Sequence, residues 1–250
     1  MSDAAPPQPR ISLVVPAHNE AELLPRLLDT IDVARRRFRR GPGEVEVVVA
    51  DNASTDATAT IARERGCAVA FVSERRIASV RNGGARAASG EILAFVDADT
   101  QIHPDTFDAI DAAMCDPRWV AGATGVRLER WSLGIAVTYA LMIPWVWLLR
   151  LDTGVVFCRR EDFAAVGGYD ERRLFGEDVQ FLWDLRRVGR SRGQRLVRLR
   201  RVKSLASMRK FDRHGDWHYP MRLFPLVWLM WRDPTAATAF ARRYWYGDDP

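Results

Sequence analysis

The run that decides the fold reads Ile92-Leu93-Ala94-Phe95-Val96-Asp97-Ala98-Asp99-Thr100-Gln101. Five apolar residues in a row have the pattern of a strand buried on both faces, and carboxylates follow as soon as it ends. Two earlier stretches repeat the arrangement. Ile11 to Pro16 leads into Ala17-His18-Asn19-Glu20, and Val45 to Ala50 leads into Asp51-Asn52-Ala53-Ser54-Thr55-Asp56. A further strand is predicted over Ala68 to Val72. Helical spacing fills the gaps: Glu20 to Phe38 (with Leu23, Leu24, Leu27, Leu28 and Ile31), about Asp56 to Arg65, Ser79 to Ser89, and about Pro104 to Met114. Apolar strands alternating with amphipathic helices imply an α/β fold, a mostly parallel sheet with helices on both faces.

In such sheets ligands bind at the carboxyl ends of the strands. Three strand ends here bring acids to one edge, where like charges repel unless a cation or a donor-rich ligand relieves them. Residues two apart in an extended segment point the same way, so Asp97 and Asp99 are expected to face one metal ion. Gln101 continues the alternation and offers an amide oxygen. A hard divalent cation, Mn2+ or Mg2+, takes oxygen ligands and keeps positions for substrate phosphates, so it would neutralise a diphosphate leaving group.

The chain has 250 residues and a formal net charge of +5, enough length for one large domain. Its apolar fraction of 48% and nine tryptophans exclude a disordered chain. Arginines cluster over Arg35 to Arg40 and again from Arg186 to Lys210, which suits anionic partners or a solvated basic face. Cys67, Cys115 and Cys158 lack metal-like spacing and read as buried, reduced thiols of an intracellular protein. Met1 to Arg10 has no apolar signal core and reads as a flexible lead-in. Trp131 to Leu149 is uncharged, at the lower margin for a bilayer span, and contains Gly134 and Pro144. A span there would separate the acidic motifs on either side, so a buried or interfacial helix-turn-helix is expected. Tyr219 to Trp231, a second apolar and aromatic stretch, adds to a membrane-surface reading.

The second half is less regular. A strand is expected at Thr153 to Phe157, a short helix from Arg160 to Val166, a turn at Gly167-Gly168, and a helix from Glu177 to Arg187. Glu177 and Asp178 open that last helix. The pair suits either first-turn acids favoured by the helix dipole or a general base.

With Val14-Val15-Pro16-Ala17-His18-Asn19-Glu20, Asp51-Asn52-Ala53-Ser54-Thr55-Asp56, Phe95-Val96-Asp97-Ala98-Asp99 and Gly176-Glu177-Asp178 in this order, the chain resembles the family-2 glycosyltransferases of the nucleotide-diphospho-sugar transferase (GT-A) fold. The resemblance runs from about Ile11 to Gly189. It implies a nucleoside pocket lined by Pro16, Ala17 and Glu20, with Asp51 on the base or ribose. Asp97, Ala98 and Asp99 would meet the nucleotide, with Asp97, Asp99 and Gln101 on the metal. Arg81, in a segment that approaches the nucleotide, would meet phosphate. Asp178 would be the base of inverting transfer, with Glu177 beside it; an acceptor phosphate would need orientation rather than a base. Asp56 is assigned a helix cap. Ser204 to Gly215 looks like a downstream family segment whose Arg209, Lys210 and Arg213 would close over the diphosphate, and His214 or His218 is a further candidate metal ligand.

The implied organisation is a flexible N-terminus (1–10), a nucleotide-sugar-binding half (11–116), an acceptor and catalytic half of the same domain (117–218), and an aromatic-rich, partly apolar helical C-terminal segment (219–250). The implied partners are a UDP- or GDP-sugar and an acceptor that the apolar stretches place near lipid, at the cytoplasmic face of a membrane, with no nucleic acid. Two other readings compete. A nucleotidyltransferase normally carries a Gly-rich loop where His18-Asn19-Glu20 stands, and a non-catalytic binder of anionic membrane or nucleic acid leaves the acidic strand ends unexplained.

Overall fold

β1 (Ile11–Ala17), β2 (Val45–Asp51), β3 (Ala68–Phe71) and β4 (Ile92–Phe95) lie parallel, in the order β3-β2-β1-β4. This computed structural model describes residues 8–149, 153–173, 176–217 and 221, with backbone alone for 142–149 and 210. Register sets Ala17 beside Asp51 and Asp51 beside Phe71, so these strands end together.

Alternation along the strands divides the core in two. Ile11, Leu13, Val15, Val47, Val49, Ile92 and Ala94 face α1 (Leu24–Arg37), α2 (Thr58–Glu64) and α4 (Thr106–Cys115). Val14, Val48, Leu93 and Phe95 face α3 (Ile77–Ala87), α6 (Arg160–Val166) and α7 (Glu177–Ser191). Burying each such branched or aromatic side chain contributes roughly 1.5–3 kcal/mol. Helices therefore cover both faces, as the continuous apolar runs require.

Beyond β4 the sheet takes turns that periodicity does not show. β7 (Val156–Arg159) runs antiparallel between β4 and β5 (Trp119–Ala123), and β8 (Arg195–Arg198) closes the edge parallel to β5. The strand expected from Thr153 begins only at Val156, because Gly154 takes a positive φ of 95°. A separate parallel pair joins β6 (Val126–Leu128) to β9 (Ser204–Ala206).

The helix-turn-helix expected over Trp131–Leu149 is instead one helix, α5 (Leu133–Leu149). Gly134 falls in its first turn, where glycine is tolerated, and Pro144 removes one backbone donor without ending the helix. Among the described residues no helix is long and apolar enough to cross a membrane. At the other end, Pro9 and Arg10 accept backbone hydrogen bonds from Glu91 and Ile92, and Arg10 pairs with Asp111 at 2.7 Å. Order thus begins before Ile11; residues 1–7 and, Met221 apart, the segment 219–250 lie outside the described residues. Cys158 is buried and burial pushes the half-buried Cys67 thiol up to about 11, but Cys115 is exposed, which corrects the expectation of three buried thiols.

Candidate active site

Pro16 and Ala17 end β1 and are buried, and Asp51 ends β2 beside them at 6% exposure. The loops that leave these strands hold two non-glycine residues in the left-handed region, Asn19 (φ 52°) and Ala53 (φ 51°). Asparagine tolerates this, but alanine gives up roughly 1–2 kcal/mol. Cross-loop bonds hold the conformation. Asn19 N donates to Ser54 Oγ at 3.0 Å, and Thr55 N donates to Asn19 Oδ1 at 2.8 Å. His18 Nδ1 donates to the Asn52 carbonyl at 2.7 Å while Arg75 donates to His18 Nε2 at 3.0 Å, which fixes the ring's tautomer. Backbone strain stored in paired loops is common at ligand sites. The N-cap of α2 is Ala57 rather than Asp56, which lies one residue earlier and bridges the loops: Thr58 N donates to its Oδ1 at 2.9 Å and Ala21 N to its Oδ2 at 3.0 Å.

The acids converge on Arg81. This α3 side chain is only 5% exposed, and its Nη2 donates to Asp97 Oδ1 at 2.8 Å. Nη1 donates to Glu177 Oε1 at 2.5 Å and lies 3.0 Å from Asp178 Oδ1. The last contact is off the hydrogen-bonding direction, so Asp178 Oδ1 has no donor among the described residues. Below the guanidinium, 5.3 Å away, lies the Tyr169 ring, a cation–π contact in a dry setting. Burial works to lower the Arg81 pKa, yet Asp178 and Asp97 outweigh it and hold the group charged, well above the usual value.

Asp178 goes the other way. Burial raises its pKa to about 6; Arg81 opposes, and Asp97 and Glu177 add to the rise. As a first-turn acid of α7, behind Gly176 at the N-cap, it would be held low by the dipole alone. Desolvation wins. The Tyr169 hydroxyl lies close enough to favour the ionised form but not in direct hydrogen-bonding geometry. Arg81 Nε, Tyr169 OH and Asp178 Oδ1 are three of the seven buried side-chain atoms without a partner among the described residues. Each costs about 1–3 kcal/mol, a concentration that folding alone does not favour.

Asp97 and Asp99 do not lie side by side on an extended segment. β4 ends at Phe95, and Thr100 N donates to the Asp97 carbonyl at 3.0 Å, closing a turn. Asp97 turns to Arg81, while Asp99 lies 3.6 Å from Arg209 on α8 (Arg209–His214). Arg209 also donates to both Glu20 oxygens, at 2.9 and 2.8 Å. Gln101 is the bracket that permits this, exchanging backbone hydrogen bonds with Leu205 at 2.9 and 2.8 Å. Its side-chain nitrogen points to Glu129, 3.4 Å away. Arg213 and His214 sit on the same short helix as Arg209; the Lys210 side chain and His218 lie outside the described residues.

α3 is locked to the segment that carries Tyr169. Asn82 Nδ2 donates to the Tyr169 carbonyl at 2.9 Å and to Glu171 at 2.7 Å, and Tyr169 N returns a bond to Asn82 Oδ1 at 2.9 Å. Gly84 lets α3 lie against β1, since a Cβ there would stand 2.4 Å from Val14 Cγ1. The sequence marks the segment that holds Arg81 and Asn82 and the turn that leads into Tyr169, but not the bonds that join them. Glu171 is the site residue that sequence reasoning missed, since nothing local marks it.

No three His, Cys, Asp or Glu side chains among the described residues form a preformed metal cage. Two carboxylates, with Asp97 56% exposed, nevertheless match what a hard cation takes from a protein when substrate phosphates complete its shell. In this structure both acids are paired to arginines, Asp97 to Arg81 and Asp99 to Arg209.

Residues 12–133 match the model of glycosyl transferase family 2. That match covers just under half of the chain. The chain is 29% identical over 227 residues to a validoxylamine A glucosyltransferase of Streptomyces hygroscopicus subsp. limoneus, covering 72% of the chain and 49% of the relative. It spans about half the length of the curated relatives it matches. Among solved structures it resembles mannosyltransferase PcManGT from Pyrobaculum calidifontis in complex with GDP-Man and Mn2+ (TM-score 0.61, 22% identity, 98% of this chain and 78% of that one). It also resembles glucosyl-3-phosphoglycerate synthase from Mycobacterium tuberculosis in complex with Mn2+, UDP and glucosyl-3-phosphoglycerate (TM-score 0.60, 22% identity, 83% and 75%). The fold of the chain is thus GT-A.

Proposed function

We propose that this protein transfers a sugar, with inversion, from a UDP- or GDP-sugar to an acceptor held beside α7. The observation that carries the reading is the ion cluster in which Arg81 binds Asp97 from the β4 end and Glu177 and Asp178 from the α7 start. Pro16, Ala17, Glu20 and Asp51 line the nucleoside end. Asp97 and Asp99 would hold Mn2+ or Mg2+ together with the donor diphosphate, and Arg209 supplies charge on the opposite side. The cation, when bound, would stabilise the charge of the leaving diphosphate. Asp178 takes the acceptor hydroxyl's proton as that oxygen attacks the anomeric carbon from the face opposite the diphosphate. A carboxylate raised toward neutrality is suited to this work.

The acceptor in this proposal is lipid-linked or membrane-proximal. Trp131 (60%), Leu133 (73%) and Trp217 (43%) are exposed near the start of α5, and Leu133 and Trp217 line an open surface groove of about 530 Å³ with Arg130 and Phe211. Exposed aromatic clusters of this kind suit contact with a bilayer surface. Flotation with anionic liposomes tests this part separately; protein that stays wholly unbound removes the lipid and leaves the transferase.

The central experiment is calorimetric titration of UDP-, GDP- and dTDP-sugars, with and without Mn2+, into wild type and Asp99→Ala. Metal-dependent binding of a UDP- or GDP-sugar, lost in the variant, is the expected result. Binding indifferent to metal would remove the role given to Asp97 and Asp99, and no binding at all would remove the donor.

A further inference from the structure

Arg81 carries a full charge into the core. Its side chain is 5% exposed, and the two hydrogen bonds it donates among the described residues go to acids, while Nε has no partner there. The two ends of the planar fork serve different parts of the site: Nη2 holds Asp97 on the donor side, and Nη1 holds Glu177 and lies against Asp178 on the acceptor side. A lysine ammonium is a single point charge and cannot span both. In a poorly screened interior, one cation shared among three anions makes each hold depend on the others.

We infer that Arg81 is a positioning residue that couples the two halves of the site, so that Asp178 sets how firmly Asp97 is held and therefore how well Asp97 serves the donor. This rests on the reading of Asp97 as a donor-side carboxylate. With the Asp178 charge removed, Arg81 has one partner fewer and grips Asp97 harder. With the donor drawing on Asp97, the guanidinium's charge passes to Glu177 and Asp178. Donor binding and the state of the α7 acids then communicate without any movement of the backbone.

A double-mutant cycle tests this, with Mn2+·UDP and Mn2+·GDP as probes and binding read by calorimetry, so no acceptor is needed. Asp178→Asn is expected to weaken nucleotide binding about 3- to 10-fold in the wild-type background. In an Arg81→Met background the same substitution should shift affinity by less than half as much on a logarithmic scale. The direct field of Asp178 survives in both backgrounds and cancels in the comparison. Equal shifts in the two backgrounds would overturn the coupling while leaving the donor site intact. Wild type that binds neither nucleotide would overturn the donor reading itself. If Arg81→Met does not fold, Arg81→Lys takes its place. Coupling reduced by at least half in that variant supports the assignment, and full wild-type coupling refutes it.

Discussion

Arg209 and Glu20, separated by 189 residues, meet as a two-pronged ion pair at 2.8 and 2.9 Å. That contact brings the late arginine to the end of β1, 3.6 Å from Asp99, which in the proposed function is the mouth of the donor site. The pair is partly exposed, Arg209 at 43%, so it adds little to stability. Its charge should matter for ligands instead.

Arg209→Ala is accordingly expected to leave the melting temperature within about 3 °C of wild type. The donor KM should rise about tenfold or more, with a smaller change in kcat, as expected for loss of a charge-assisted fork. Steady-state kinetics with the donor varied decide it. An unchanged or lowered KM would mean that Arg209 only props the empty site.

As the proposed base, Asp178 is expected to set the pH behaviour. Its pKa, raised to about 6, puts the acid limb of kcat/KM near pH 6, with activity rising as the carboxylate loses its proton and levelling above about pH 7. Asp178→Asn should lower kcat about 10²- to 10⁴-fold and abolish the limb. The sign for stability is opposite. An acid whose folded pKa lies above its unfolded value favours the fold when protonated, so this contribution is full below about pH 4 and lost as pH rises through 6. Asp178→Asn should therefore raise the melting temperature at pH 8 and have little effect at pH 4. A variant that melts lower than wild type at pH 8 would contradict the assignment of burial as the dominant cause.

Gly84→Ala tests the seating of α3. The added methyl meets Val14 Cγ1 at 2.4 Å and Ala50 Cβ at 3.1 Å, an overpacking expected to cost about 1–3 kcal/mol. Chemical denaturation should show a lower midpoint. Activity should fall by more than the loss of folded protein, because Arg81 is carried on that helix. Wild-type stability would show that β1 yields without strain.

Much of this arrangement could be read beforehand, and the exceptions have a common physical origin. β1, β2 and β4 announce themselves as continuous Val, Ile and Leu runs because both their faces are covered, and their terminal acids stand out against them. The antiparallel course of β7 does not show, since a four-residue run gives no direction of pairing. The side-by-side placing expected for Asp97 and Asp99 fails because β4 stops at Phe95 and a turn follows. Arg81 was marked by its neighbourhood, but its partners Glu177 and Asp178 are set by the packing of α7 on α3's side of the sheet, which local spacing does not encode. The bond from Asn82 to Tyr169, 87 residues on, is of the same kind.

The position of β7 between β4 and β5 also constrains the order in which the sheet can assemble during synthesis. A chain leaving the ribosome can pair β1 to β4 early, but β5 has no place in the sheet until β7 has emerged to hold it. Arg81 and Asp97 are made well before Glu177 and Asp178, and Glu20 waits longest, for Arg209. The acidic edge thus stays incomplete, and the site proposed for the sugar donor cannot assemble, until nearly all of the described fold is out of the exit tunnel.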